Sequence, residues 1–207
     1  MYGSYAEFNA AKLACRACPV GPVYGRVVES DGCVATPAVM VIGEAPGADE
    51  VAKGKPFVGK SGRLLRDTLN AAGFNRDNAA ISNVIPCRPR DNVFPSDLSL
   101  VEACVARWLR EEIAILRPRL ILLVGGKALK SVLGMDGITR NRGRWFPLTR
   151  EWGFVDCMPT YHPSYVQRME YADEGFEVME AFKADVAEVA RAAGFTPPRR
   201  LPVRRAG

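Results

Sequence analysis

The chain has 207 residues, 48% hydrophobic and 25% charged, with 28 Lys and Arg against 23 Asp and Glu for a net charge of +5. This length and balance suit one globular domain with a real core, and the longest apolar run, Leu120–Val124, falls far short of the roughly 18–20 residues that span a membrane. The single histidine, His162, excludes multi-His metal centres and HExxH proteases.

The first residues lack the charged-then-apolar layout of a secretory signal, so a cytoplasmic protein is expected. The basic excess leans toward a polyanionic partner, nucleic acid before membrane. Arg26–Ala35 has the pattern of a β-hairpin around Ser30-Asp31-Gly32. Pro37–Gly43 is an apolar run closed by glycine, the mark of a strand buried on both faces. Similar runs recur at Ala79–Ile85, Arg119–Val124 and Gly153–Met158. Helical patterns occupy Ser61–Ala72, Ser96–Leu116 with a Ser cap, Lys127–Leu133 and Tyr171–Ala193. Strands alternating with helices predict an α/β fold, a three-layer α/β/α arrangement around a mostly parallel sheet. One domain is expected over residues 1–195. A Pro- and Arg-rich basic tail, expected to be disordered, follows over 196–207.

In such sheets ligands bind beyond the carboxyl ends of the strands, and the unusual residues cluster there. Gly54-Lys55-Pro56-Phe57-Val58-Gly59-Lys60-Ser61 fits the phosphate-binding pattern G-x-x-x-x-G-K-[ST]. Yet its strand ends at Gly43, Pro56 removes one N–H from the cradle and Phe57 fills its centre. A nucleotide hydrolase is therefore the weaker reading. Six cysteines are present. Cys15-x-x-Cys18 is a chelating pair, and Cys87 and Cys104 bring the set to four thiolates, enough for Zn²⁺ or a [4Fe–4S] cluster. Spacing alone leaves the two metals even. Cys33 and Cys157 fit inert positions in strands. A non-catalytic, metal-stabilised DNA-binding module is the second alternative.

Five ordered motifs carry a stronger signal. They are Gly43-Glu44-Ala45-Pro46-Gly47-Ala48-Asp49-Glu50, Gly54–Gly62, Ser82-Asn83-Val84-Ile85-Pro86-Cys87-Arg88-Pro89, Arg140-Asn141-Arg142-Gly143-Arg144-Trp145 and Pro159-Thr160-Tyr161-His162-Pro163-Ser164-Tyr165. From about Cys15 to Arg168 the chain resembles family 4 uracil-DNA glycosylases, the iron–sulfur branch of that superfamily. The resemblance implies a four-stranded parallel sheet, a [4Fe–4S] cluster on Cys15, Cys18, Cys87 and Cys104, and uracil-containing DNA as the partner of a monomer. It departs from the family pattern at Arg90 and Val93, in the loop after Cys87.

Chemistry assigns roles within that resemblance. An extruded uracil needs an aromatic plane, for which Phe57 is the candidate. Asn83 can face both N3–H and O4 with one amide. Gly43 belongs to the same pocket, and Glu50 is expected near C5, where it would exclude thymine's methyl. His162 resembles the family's donor to O2, and Glu44 is the candidate carboxylate for the water, with Asp49 or Glu50 able to share that role. Arg140, Arg142, Arg144, Ser164 and Arg168 are expected to contact DNA. Val166–Arg168 is expected to be a wedge filling the gap left by the flipped base.

Overall fold

The computed structural model describes residues 2–18, 26–148 and 155–198. Within it α1 (Tyr5–Leu13) precedes the edge strand β1 (Asp31–Gly32). Then come β2 (Val39–Gly43), α2 (Ala48–Lys53), α3 (Lys60–Ala71) and β3 (Ala79–Asn83). The long helix α4 is α-helical over Leu98–Cys104, π-helical over Val105–Leu109 and α-helical again over Arg110–Leu116. It is followed by β4 (Leu120–Val124), α5 (Gly126–Leu133), α6 (Ile138–Asn141), β5 (Phe146–Leu148), β6 (Val155–Thr160), α7 (Pro163–Met169) and α8 (Gly175–Ala193).

The sheet order is β1-β3-β2-β4-β6-β5. Its four inner strands are parallel, as expected, but antiparallel edge strands at each side make six. The apolar runs explain the parallel core, because both faces are covered and every second side chain enters the opposite layer. Val39, Val41, Leu122, Val124 and Met158 face α3, α7 and α8, where they meet Leu65, Leu69, Val166, Phe182 and Val186. Met40, Ile42, Ile121 and Leu123 face α4 and α5, meeting Val105, Leu109, Ile113 and Ala128.

Several local expectations are corrected. Arg26–Ala35 is no hairpin: Asp31 and Gly32 pair with Ile81 and Ala80 of β3, because residues the turn pattern marked complete the sheet edge instead. Helix α4 is capped by Asp97, whose carboxylate accepts from Ser99 N and Leu100 N at 3.0 and 3.3 Å, not by Ser96. The last helix starts at Gly175, four residues after Tyr171, which is 93% exposed. Helix α1 was not expected, although Ser4 and Glu7 form the S-x-x-E signature of a helix start. Ser4 Oγ accepts from Glu7 N at 3.2 Å, and Glu7 accepts from Gly3 N at 2.9 Å. Most of the basic tail, from residue 199 on, and the start of the strand expected at Gly153 lie outside the described residues.

Candidate active site

Strands β2 and β3 run in register and end together, with Gly43 beside Asn83. At the same end β6 leads into His162, which caps α7. A cavity of about 370 Å³ opens there, lined by Glu44, Gly47, Phe57, Asn83, His162 and Ser164 among others, the size range of small-ligand sites. The fold thus gathers five of the sequence-predicted pocket side chains, Glu44, Glu50, Phe57, Asn83 and His162, at one cavity.

Gly43 is the keystone of this wall. A Cβ there would sit 2.3 Å from Phe57 Cζ and 2.6 Å from Asn83 Oδ1. Only a residue without a side chain lets the ring and the amide meet across the strand end. Phe57 is 7% exposed and Asn83 8%, and no described residue hydrogen-bonds the Asn83 amide. Neither polar atom of the amide is buried without a partner, so both are open to the cavity that Asn83 lines.

Phe57 takes a left-handed backbone, φ 54°, a conformation that costs a non-glycine residue about 1–3 kcal/mol unless its surroundings impose it. Arg66 imposes it. Its Nε donates to Phe57 O at 2.9 Å and its Nη2 to Pro56 O at 2.7 Å and Asp31 Oδ2 at 2.8 Å. Burial acts to raise the Asp31 pKa, but Arg66, Arg76 and Lys55 outweigh it and hold the carboxyl below its ordinary range. Gly62 packs directly on the Phe57 backbone, where a Cβ would lie 2.2 Å from its carbonyl carbon. Sequence reasoning missed Arg66 and Asp31, which touch no ligand position themselves.

His162 is set as a neutral donor. Its Nδ1 accepts from Ser164 N at 3.2 Å and lies 2.7 Å from Ser164 Oγ, so the ring proton resides on Nε2. Burial first, and Arg168 second, push its pKa down to about 4. The ring is 6.3 Å from that of Phe57, at 37°. Burial raises the Glu44 pKa, with Lys127 partly opposing.

Glu50 is held by backbone amides at the cavity edge. Its Oε2 accepts from Gly47 N at 3.0 Å and its Oε1 from Val58 N and Gly59 N at 2.8 Å each. A carboxylate holding three backbone amides braces the turn that carries Phe57. The same bonds dispose of the phosphate-loop reading. Two amides of the Gly54–Ser61 stretch that a phosphate would need are already bound to Glu50, and α2 separates the stretch from β2. Asp49 lies by Gly59, where a Cβ would be 3.0 Å from its Oδ2, and does not line the cavity.

Comparison with known proteins joins this geometry to a family. The profile of the uracil DNA glycosylase superfamily matches residues 30–187. A type-4 uracil-DNA glycosylase of Thermotoga maritima is 35% identical over 74% of this chain and 78% of its own. One of Pyrobaculum aerophilum is 36% identical over 74% and 80%, and one of Archaeoglobus fulgidus is 33% identical over 80% and 84%. The chain belongs to the type-4 uracil-DNA glycosylase family.

The arginines of this type-4 family member divide into two kinds. Arg142 is an internal brace, against expectation. Its Nε donates to Asp185 Oδ2 at 2.8 Å, its Nη2 donates to Asp185 Oδ1 and to Ala181 O, and its guanidinium lies over the Tyr161 ring. Burial raises the Asp185 pKa, opposed by Arg142 and Thr160. Arg140, Arg144 and Arg168 are exposed, and Arg168 reaches Ser164 Oγ at 3.4 Å. The expected wedge fails at its first residue, because Val166 is wholly buried. Ser164 is half-buried and serves His162.

The four cysteines gather in one neighbourhood. Cys15, Cys18 and Cys104 line a cavity of about 360 Å³. Burial, reinforced by Cys15 and Cys18, pushes the Cys87 thiol up to about 11. Burial, reinforced by Cys87, Cys18 and Cys15, pushes Cys104 up to about 12. No group of three or more His, Cys, Asp or Glu among the described residues is placed to hold a single metal ion. Four cysteine thiolates are a donor set of the kind that holds zinc or an iron–sulfur cluster. Cys157 is fully buried in β6 and inert; burial, with Asp156 adding, raises its thiol to about 12. A buried network supports this neighbourhood. Lys12 Nζ donates to Glu112 Oε1 at 2.9 Å, and Ser30 and Ser82 donate to the same carboxylate at 2.6 and 2.9 Å. It ties the end of α1, near Cys15, to α4 and to the residue before Asn83.

Proposed function

We propose that this pocket takes a deoxyuridine extruded from DNA and hydrolyses its N-glycosidic bond, releasing uracil at the start of base-excision repair. The observation that carries the reading is the meeting of Phe57 and the cavity-lining Asn83 amide over side-chain-free Gly43. That wall offers an apolar plane to lie against the base and one acceptor and one donor for N3–H and O4. Cytosine presents the opposite pattern and would leave the buried amide unpaired. As the C1′–N1 bond breaks, its electron pair leaves with uracil and negative charge grows on O2. His162, neutral with its proton on Nε2, supplies the donor for that charge. Water adds to C1′ and gives its proton to Glu44, a carboxylate made more basic by burial.

Cys15, Cys18, Cys87 and Cys104 would hold a [4Fe–4S] cluster. When bound it would supply a covalent tie between the N-terminal segment, the loop after β3 and α4; the hydrolysis calls for no electron transfer. Arg140, Arg144 and Arg168 are the phosphate contacts in this reading. It extends to a monomer with one domain over residues 1–195, working on DNA in the cytoplasm.

Single-turnover cleavage of matched uracil- and cytosine-containing oligonucleotides tests the proposal. Wild type should excise uracil only. Asn83→Ala should bind DNA nearly as well, since phosphates dominate affinity, yet lose excision by about 10–100-fold for a missing bidentate pair worth roughly 1–3 kcal/mol. Asn83→Asp should cleave uracil poorly and cytosine weakly but detectably. Uracil excision by Asn83→Ala at the wild-type rate would remove the pocket from the reaction.

A further inference from the structure

Extruding a nucleotide leaves a gap in the base stack, and proteins that unstack DNA commonly fill such gaps with an apolar side chain. Val166 cannot do so, being buried in the core. The other rim of the pocket offers a different residue. Pro89 and Asn92 line the cavity, and Val93 follows directly, 68% exposed. A single exposed valine is ordinary on a protein surface; what distinguishes this one is how the loop is built. Asp91 and Asn92 both take left-handed backbone, φ 52° and 57°, a conformation these two residue types tolerate best. Arg88 Nε donates to Asn92 Oδ1 at 2.8 Å, and Val93 N donates to Arg90 O at 2.8 Å. Phe94, the next residue, is 9% exposed and anchored in the core, with Lys127 Nζ 5.5 Å from its ring centre. The chain is therefore pinned on both sides of Val93, which is left as the apolar projection of a braced loop at the mouth of the pocket.

We propose that Val93 enters the duplex as the uracil leaves it and holds the gap open, a positioning residue for the reaction. The inference rests on the glycosylase reading and assigns it a further requirement that applies only to double-stranded substrate. A single strand has no stack to refill, so Val93 should matter for duplex DNA alone.

The test is single-turnover excision from one uracil-containing sequence, presented single-stranded and as a duplex, by wild type, Val93→Ala and Val93→Leu. Duplex excision by Val93→Ala should fall about tenfold, the worth of two buried carbons, with single-strand excision within twofold of wild type. Val93→Leu, longer and still apolar, should keep duplex excision within twofold. Fluorescence of 2-aminopurine beside a non-cleavable 2′-fluoro-deoxyuridine should report less unstacking with Val93→Ala. An unchanged duplex rate, an equal fall on both substrates, or a Val93→Leu rate as low as that of Val93→Ala overturns the proposal. A wild-type protein that cleaves neither substrate would overturn the glycosylase reading instead.

Discussion

Replacing Gly43 with Ala adds one methyl group at the point where three pocket elements meet. Its carbon would lie 2.3 Å from Phe57 Cζ, 2.7 Å from Phe57 Cε2 and 2.6 Å from Asn83 Oδ1, where ordinary contact begins at 3.4 Å. Ring and amide must each retreat by about 1 Å, the displacement at which catalytic geometry loses about 100-fold. The Phe57 backbone cannot follow, since Arg66 holds its carbonyl and Gly62 packs against it. The ring must therefore tilt into the space the base would occupy. Overpacking of this kind costs about 1–3 kcal/mol of stability. The backbone of Gly43 needs no left-handed conformation, so the strand itself should survive. Single-turnover uracil excision, read beside a urea melt, should show a loss of at least about 100-fold in a protein that remains folded. Excision by Gly43→Ala within twofold of wild type would refute the packing argument, because the ring and amide would then have no need to touch across that glycine.

Arg142→Ala should cost about 3–5 kcal/mol, because it leaves the buried Asp185 carboxylate without its counter-charge, with Thr160 alone still donating to it; Arg140→Ala and Arg168→Ala should leave the melt unchanged and flatten the salt dependence of DNA binding by roughly one unit of slope each. A marginal effect of Arg142→Ala on the melt contradicts the first half, and an unaltered salt slope the second. His162 has a folded pKa of about 4 against 6.5 for the free group, so below pH 6.5 the unfolded chain binds the extra proton. The stability it confers is complete above pH 6.5 and lost as pH falls toward 4, by at most about 3 kcal/mol. Asn at 162 can still cap α7, and His162→Asn should flatten that part of the stability–pH curve in urea melts at pH 7 and 4.5; an unchanged slope would show that the imidazole is not kept neutral. Purified protein should carry about four irons per chain and absorb broadly near roughly 400 nm. Cys15→Ser and Cys104→Ser should lose that colour while Cys33→Ser and Cys157→Ala keep it. Colourless protein with one zinc per chain contradicts the cluster and leaves the glycosylase reading standing.

The sequence alone determined the parallel core of this protein, because a strand buried on both faces must be written as a continuous apolar run. Val39–Gly43 and Leu120–Val124 could be read directly, and the polar residues closing such runs, Asn83 and His162, marked where the pocket lies. Even α1 was legible in principle through Ser4 and Glu7. What only the tertiary structure decided is which partner each polar side chain meets. Arg140 and Arg142 are two positions apart and chemically identical, yet Arg142 is an internal brace because α8 brings Asp185 back from 43 residues away. Glu50 has the residue type of a catalytic carboxylate, but the turn of the chain at Phe57 delivers two amides to it. Gly43 is legible as a strand end and a pocket residue, but that Phe57 and Asn83 meet over it is set only by the fold. Local periodicity records how much of a segment is buried; the pairing of charges and donors depends on where the chain returns, and that is set only when the layers close on one another.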